Sequence, residues 1–314
     1  MGRPSKSEDS IITIARMRYS QGIAQSAIAN HLGISEATVS RSLKKAFELG
    51  ILEIQITPTG WRDRRAEEDL CARFGLDDAV VVQPSKRDAD SFGLLARATA
   101  AYVEDLLVDG SVLGVSDGES VAMVAEAFRR ARSTDIDVVS LIGGIGSPHI
   151  NTHSNEITRV MASRLAARPW QLHAPAMVDT AELATALVNS QTIDVVFRLI
   201  DKLSVVVVGI GSMSNRASIF RHGAIENEMI ETLKEAGAVG SICGRFFDRN
   251  GADVPSAIHA RTIAVSLDNL KKAPKRIGVA HGADKVEAIC AAFRGNVANV
   301  LCTDMETANM ILAY

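Results

Sequence analysis

Two groups of residues carry the chemistry this sequence can do. Near the start of the chain, Glu36, Ala37, Thr38, Ser40, Arg41 and Lys44 fall on the outward side of one short helical stretch that Ser35 caps. Arg41 presents a fork that matches the edge of guanine, and Thr38 or Ala37 suits the methyl group of thymine. Lys44 and Lys45 suit phosphate, which positions a duplex without reading it. Gln25, at the start of the preceding helical stretch, joins the same set. The competing reading for each is a solvated surface side chain.

The second group lies in glycine loops further along, each directly after a short apolar run. Ser116, Asp117, Gly118, Glu119 and Ser120 follow residues 112–115, and Gly144 follows 138–142. Gly211 follows 205–208, while Gly282, Asp284 and Lys285 follow 276–280. Loops at the carboxyl ends of parallel strands are where open α/β sheets bind small molecules. Asn155 is a further candidate, either as a ligand contact or only as the cap of a helix over 156–167. Asp248 is another, although with Asn250-Gly251 it reads most simply as a turn. His149 and His153 stand four apart, but Pro148 and the loop around them forbid a helical metal face. Neither a metal nor a cofactor is expected.

The elements that must position these residues follow from pattern. Ser7, Glu8 and Asp9 start a first helix that runs to about Ser20, with Ile11, Ile14, Ala15 and Met17 inward and Gly22 ending it. A second helix spans about 25–31, with Ile28, Ala29 and Leu32 inward and Gly33 at the bend. A third begins after Ser35, buries Val39 and Leu43, and stops at Gly50. A small contact residue, a glycine bend and this shared core together describe a helix-turn-helix, whose second helix lies in the major groove of DNA. Residues 51–56 alternate as a short strand or wing, and Met1–Ser5 reads as a mobile arm that can lay Arg3 into a minor groove.

Residues 57–64 form a linker, and 61–73 continue as a charged helix, read as a solvated linker helix with an intersubunit role as the alternative. From about Ala79 onward, unbroken apolar runs rich in Val and Ile alternate with helical stretches, the signature of a parallel sheet covered on both faces. The expected architecture is α/β: a helix-turn-helix over residues 1–56 and a doubly wound sensor domain over 65–314.

Composition is consistent with this division. The 314 residues are 47% hydrophobic and 23% charged, with a formal net charge of −3. Up to Ile56 there are seven bases against five acids, and the remainder carries 27 against 32, so a mildly basic head precedes an acidic body. Cys71, Cys243, Cys290 and Cys302 lack metal-site spacing and read as buried thiols of a reducing cytoplasm. No apolar run approaches the ~20 residues of a membrane span, so no membrane partner is expected.

At the level of motifs the chain resembles one known family. Ala24-Gln25-x-x-Ile28-Ala29-x-x-Leu32-Gly33-Ile34-Ser35-x-x-Thr38-Val39-Ser40-Arg41 resembles the head of the SorC family of sugar-binding regulators, related to the DeoR group. The stretch from Gly237 to Gly251, with Gly244-Arg245-Phe246-Phe247-Asp248, resembles that family's tail. So do Gly278-Val279-Ala280-x-Gly282-x-x-Lys285 and Val300-Leu301-Cys302-Thr303-Asp304. The resemblance implies a sensor domain similar to sugar-phosphate isomerases, a dimeric or tetrameric assembly, and an effector that is a sugar, a polyol or a sugar phosphate. It therefore implies a transcription regulator that binds double-stranded operator DNA; the alternative is an isomerase- or deaminase-like enzyme. Two departures bear on the effector. Members of the family usually carry a Gly-x-x-Trp-Gly-x-Thr loop, or Gly-Gly-Thr-Thr in phosphate binders. This chain instead has Gly114-Val115-Ser116-Asp117-Gly118-Glu119-Ser120, with acids where Trp and Arg or Thr are common. Ile142 stands where phosphate-sugar sensors often place arginine. Asp117 and Glu119 suit sugar hydroxyls. Lys285, expected at a helix start, suits phosphate.

Overall fold

The computed structural model describes residues 6–52, 61–83, 91–129, 135–145, 151–214 and 227–314. Contacts divide the chain into two compact units, Met1–Thr59 and Gly60–Tyr314, which are described separately. The arm before Lys6, the wing residues 53–56, the linker residues 57–60, and Pro148 with His149 lie outside the described residues.

The first unit holds α1 (Lys6–Ala15), continued by a π-helical turn over Arg16–Ser20, then α2 (Gln25–Leu32) and α3 (Glu36–Glu48). Ser7 lies inside α1 rather than ahead of it. Ile11, Ile14, Ala15, Met17, Ile28, Ala29, Val39, Leu43 and Ala46 form one core. The spacing of Ile28 and Leu32 places both inward, yet Leu32 is 36% exposed. Gly33 takes a φ of +65° there, and the Ile34 N–H returns to the Ala29 carbonyl at 3.0 Å, so Ile34 packs on the core in place of Leu32.

The second unit opens with α4 (Arg64–Phe74), β1 (Asp78–Val82), α5 (Ser91–Leu106), β2 (Val112–Val115), α6 (Glu119–Ala127) and β3 (Asp137–Ser140). It continues with α7 (Ser154–Leu165), β4 (Arg168–Trp170), α8 (Ala181–Val188), α9 (Gln191–Ile200), β5 (Val205–Gly209) and β6 (Gly211–Ser212). Then come α10 (Asn227–Glu235), β7 (Gly240–Ile242), β8 (Arg245–Phe247), α11 (Ala257–Ala260), α12 (Leu267–Lys272) and β9 (Lys275–Val279). The chain closes with a 3-10 turn over Ala283–Lys285, α13 (Val286–Arg294), β10 (Val300–Asp304) and α14 (Met305–Ala313).

Among the described residues the main sheet runs β1-β10-β9-β5-β2-β3-β4, all parallel. Alternate strand residues serve opposite faces. Val80, Val82, Val205, Val207 and Cys302 pack on one side, while Ala79, Val81, Val206, Val208 and Leu301 pack on the other. From β2 the chain moves to β3 and β4, and from β5 it moves the opposite way to β9 and β10. The switch in direction therefore falls between β2 and β5, where a crevice must open at the carboxyl ends.

The charged stretch at 61–73 is solvated along one face, where Arg64, Arg65, Glu68, Asp69 and Arg73 are exposed, and buried along the other. α4 packs on β1 and α14, and Glu67, 4% exposed, accepts from Arg62 Nε at 2.6 Å and from the Val81 N–H at 3.0 Å. Its charges form a partly buried network. Cys243, Cys290 and Cys302 are buried, whereas Cys71 is partly exposed, and all are free thiols. Among the described residues no single helix is long and apolar enough to cross a membrane.

Candidate functional site

In the first unit, α3 presents its polar face. Ser35 caps it, accepting the Thr38 N–H at 3.2 Å, and the two hydroxyls sit 2.8 Å apart. Ser35 and Thr38 are thus engaged with each other at the helix start. Glu36, Ala37, Ser40, Arg41 and Lys44 are exposed, while Gln25 is only partly so. Arg41 Nε donates to the Ala37 carbonyl at 3.2 Å, which lays the guanidinium along the same face as Ala37. Lys44 lies 3.9 Å from Glu48 one turn on.

In the second unit a cavity of about 390 Å³ opens where the carboxyl ends of β2, β5 and β9 converge. The loop after β2 supplies Asp117, Gly118, Glu119 and Ser120; the segment after β5 supplies Ile210, Gly211 and Ser212; the loop after β9 supplies His281, Gly282, Asp284 and Lys285. Gly118 and Gly282 both hold φ at +105°, a region L side chains rarely enter, so each loop can turn sharply into its following helical turn.

The loops are tied down from behind. Ser116 Oγ donates to the Asp117 carbonyl at 2.9 Å and accepts the Gly209 N–H at 3.1 Å, joining the β2 and β5 loops. Ser116 is therefore buried beneath the cavity and does not line it. The Gly282 N–H donates to Thr307 Oγ1 at 2.8 Å, and Thr307 N–H donates to Asp304 Oδ1 at 2.7 Å, which braces the β9 loop on α14.

The carboxylates differ sharply. Burial pushes Asp117 up to about 6, only partly offset by its own backbone amide. No described side chain donates to it. Asp284, at the rim, is also pushed up by burial, but the hydroxyls of Ser214 and Ser212, with Lys285, outweigh this and hold it below the usual carboxylate range. His281 is held down by burial and by Lys285, so it is largely neutral at pH 7, and its ring lies 4.4 Å from that of Phe92.

Opposite the β2 loop stands a hairpin that the sequence reading did not anticipate. β7 and β8 are joined by Cys243 and Gly244, with φ of +51° and +68°, as a two-residue hairpin turn requires. Cys243 faces the cavity, and burial together with the nearby Asp117 charge drives its thiol pKa well up, so it is an inert wall. Arg245 secures the hairpin by donating to four carbonyls: His259 at 2.7 Å, Ala264 at 2.9 Å, and Val265 and Thr262 at 3.2 Å.

Besides Ser116, three further expected ligand contacts lie outside the cavity. Gly144 packs against the His153 imidazole, leaving no room for a side chain there. Asn155 is engaged with Leu172, donating to its carbonyl at 3.1 Å and accepting its N–H at 2.9 Å. The cap of α7 is His153, whose ring nitrogen accepts the Asn155 N–H. Asp248 accepts the N–H groups of Asn250 at 2.8 Å and Ala252 at 2.9 Å, closing a turn. Conversely, Phe92, Ser241, Cys243, Gly244 and His281 line the cavity without having been singled out. The Cys-Gly pair between apolar runs was a legible hairpin signal; Phe92 had none. Among the described residues no group of His, Cys, Asp and Glu can hold a metal ion.

A family model described as "Putative sugar-binding domain" matches residues 61–313. The sorbitol operon regulator of Klebsiella pneumoniae is 32% identical over 305 residues, 96% of this chain and 97% of the relative. The deoxyribonucleoside regulator of Bacillus subtilis is 33% identical over 303 residues, 96% of each. The crystal structure of the full-length sorbitol operon regulator from Klebsiella pneumoniae superposes with a TM-score of 0.78 at 30% identity, covering 98% of this chain and 100% of that one.

Proposed function

The chain belongs to the SorC family of sugar-binding transcription regulators, and we propose that its affinity for an operator is set by a sugar or polyol held in the cavity at the ends of β2, β5 and β9. The observation that carries this reading is the cavity itself: hydroxyls and carboxylates ring a switch point inside the stretch that matches the sugar-binding family. The first unit supplies the DNA contact. α3 enters the major groove, Arg41 reads guanine, and Lys44 neutralises phosphate. One such unit covers too little DNA for tight specific binding, so the active species is a dimer or tetramer on a two-fold site.

Control follows from linkage. An effector that binds one arrangement of the subunits better than another shifts the population toward it and changes the spacing of the DNA-reading units. The second unit acts as a sensor and not as an enzyme. Incubating the full chain with sugar phosphates and following turnover tests that point. The main test is a gel-shift titration of the full chain on the DNA upstream of its own gene, with and without sugars. Retarded DNA whose midpoint moves with one sugar is the expected result, and an unretarded fragment at modest salt contradicts the proposal.

A further inference from the structure

We infer that the effector carries no phosphate and is held through its hydroxyl groups, a conclusion that rests on the cavity being the sensor site. Three observations carry it.

The first is charge. Among the described residues lining the cavity, Lys285 is the one lysine or arginine, and it stands with Asp117, Glu119 and Asp284. A phosphate monoester brings about −1.5 to −2 charges at pH 7, so it would add repulsion to a lining that already carries excess negative charge.

The second is the state of the donors. A phosphate is normally cradled by loop amides and hydroxyls. Here the Gly118 N–H is engaged with the Thr152 carbonyl at 3.1 Å, Gly282 N–H with Thr307 Oγ1, and Gly209 N–H with Ser116 Oγ. The hydroxyls of Ser212 and Ser214 both donate to Asp284 Oδ2, at 3.0 and 2.9 Å. Asp284 is thus an anion built into the site, and it takes the Ser212 and Ser214 hydroxyls that would otherwise be open to an incoming phosphate.

The third is the state of the acceptors. Asp117 is half-buried, lines the cavity, and receives no described side-chain donor. A hydroxyl donated to it would satisfy a charged acceptor in a poorly solvated place, where such bonds are strongest. Phe92 and Ile210 add apolar surface suited to the C–H face of a sugar.

The test is a thermal-shift titration of the full chain with pentitols, hexitols, aldoses and ketoses, each beside its own monophosphate, and with inorganic phosphate alone. At least one phosphate-free compound raises Tm, and its monophosphate binds about tenfold more weakly or worse. A monophosphate that binds tighter than its parent, or a rise with inorganic phosphate alone, overturns the inference and leaves the sensor reading standing. If no compound acts, the sensor reading falls and the inference falls with it. Asp284→Asn removes the built-in charge while keeping its shape, and it narrows the discrimination between parent and monophosphate about tenfold; unchanged discrimination refutes the role given to Asp284.

Discussion

Asp284 Oδ2 accepts the Ser212 hydroxyl at 3.0 Å, across 72 residues of sequence, and so fastens the β9 loop to the end of β6. Together with Ser214 this bond holds the Asp284 carboxyl below its ordinary value despite burial. A depressed carboxyl stabilises the folded chain above its ordinary pKa of 3.8 and loses that contribution as pH falls below it. Replacing both serines by alanine should bring the Asp284 carboxyl up in an NMR titration, with a smaller fall in Tm on acidification. A titration curve unchanged by the double substitution contradicts the assigned bonds.

Asp117 behaves in the opposite sense. Its carboxyl is raised to about 6, so the folded chain holds this proton more tightly than the unfolded one, and stability declines as pH rises from about 4 through 6. Asp117→Asn should therefore raise Tm at pH 7.5 by about 2–4 °C, the equivalent of about 1 kcal/mol, and change it little at pH 4. Effector binding should weaken in the wild type as pH falls through about 6, because the protonated carboxyl no longer accepts two strong bonds. Cys243 of the hairpin lies beside the group, and Glu119 on α6 with His281, Asp284 and Lys285 of the β9 loop share its cavity, so the same titration in Glu119→Gln separates the two acids. An affinity flat between pH 5 and 8 excludes a role for the Asp117 charge.

Arg245 holds residues 259–265 to the hairpin through four carbonyls, with no carboxylate among the described residues bonded to it. Lysine cannot reproduce that fan of donors. Arg245→Lys should lower stability on the order of 3 kcal/mol, since each orphaned buried carbonyl carries a desolvation penalty. Urea unfolding measures it directly. A change below about 0.5 kcal/mol would show that the loop reorganises without it.

On the exposed face of α3, Arg41→Ala should weaken specific operator binding by about 1–3 kcal/mol, while Lys44→Ala should weaken binding to all sequences alike and reduce the salt slope by about one. Ser35→Ala acts differently. It removes the cap on α3, with a loss of about 1 kcal/mol in stability, and lowers affinity only through a less ordered helix. Footprints and salt titrations of the three variants distinguish reading, neutralising and capping.

The parallel strands were legible because a strand covered on both faces leaves little room for polar residues: Val205–Gly209 and Val112–Val115 announce themselves. The helical core of the first unit was legible for a similar reason, since Ile28, Ala29, Val39 and Leu43 must meet at fixed spacing. Side-chain roles were harder. Asn155 looked available until Leu172, 17 residues on, was found to occupy both ends of its amide. Glu67 looked solvated because its partners are an arginine before the helix and an amide on β1. Phe92 reaches the cavity only because α5 starts beside the β9 loop, a tertiary fact without a local signal.

Regulation by a sugar requires a link between the two units: sugar in the cavity and duplex on α3 must influence each other. Fluorescence anisotropy of the full chain on labelled upstream DNA, with the strongest stabilising sugar absent and then saturating, measures that link. Coupling is reciprocal, so operator affinity should change severalfold, and saturating DNA should change the sugar affinity by the same factor. Two affinities that ignore each other, in a chain that binds both ligands, would contradict it.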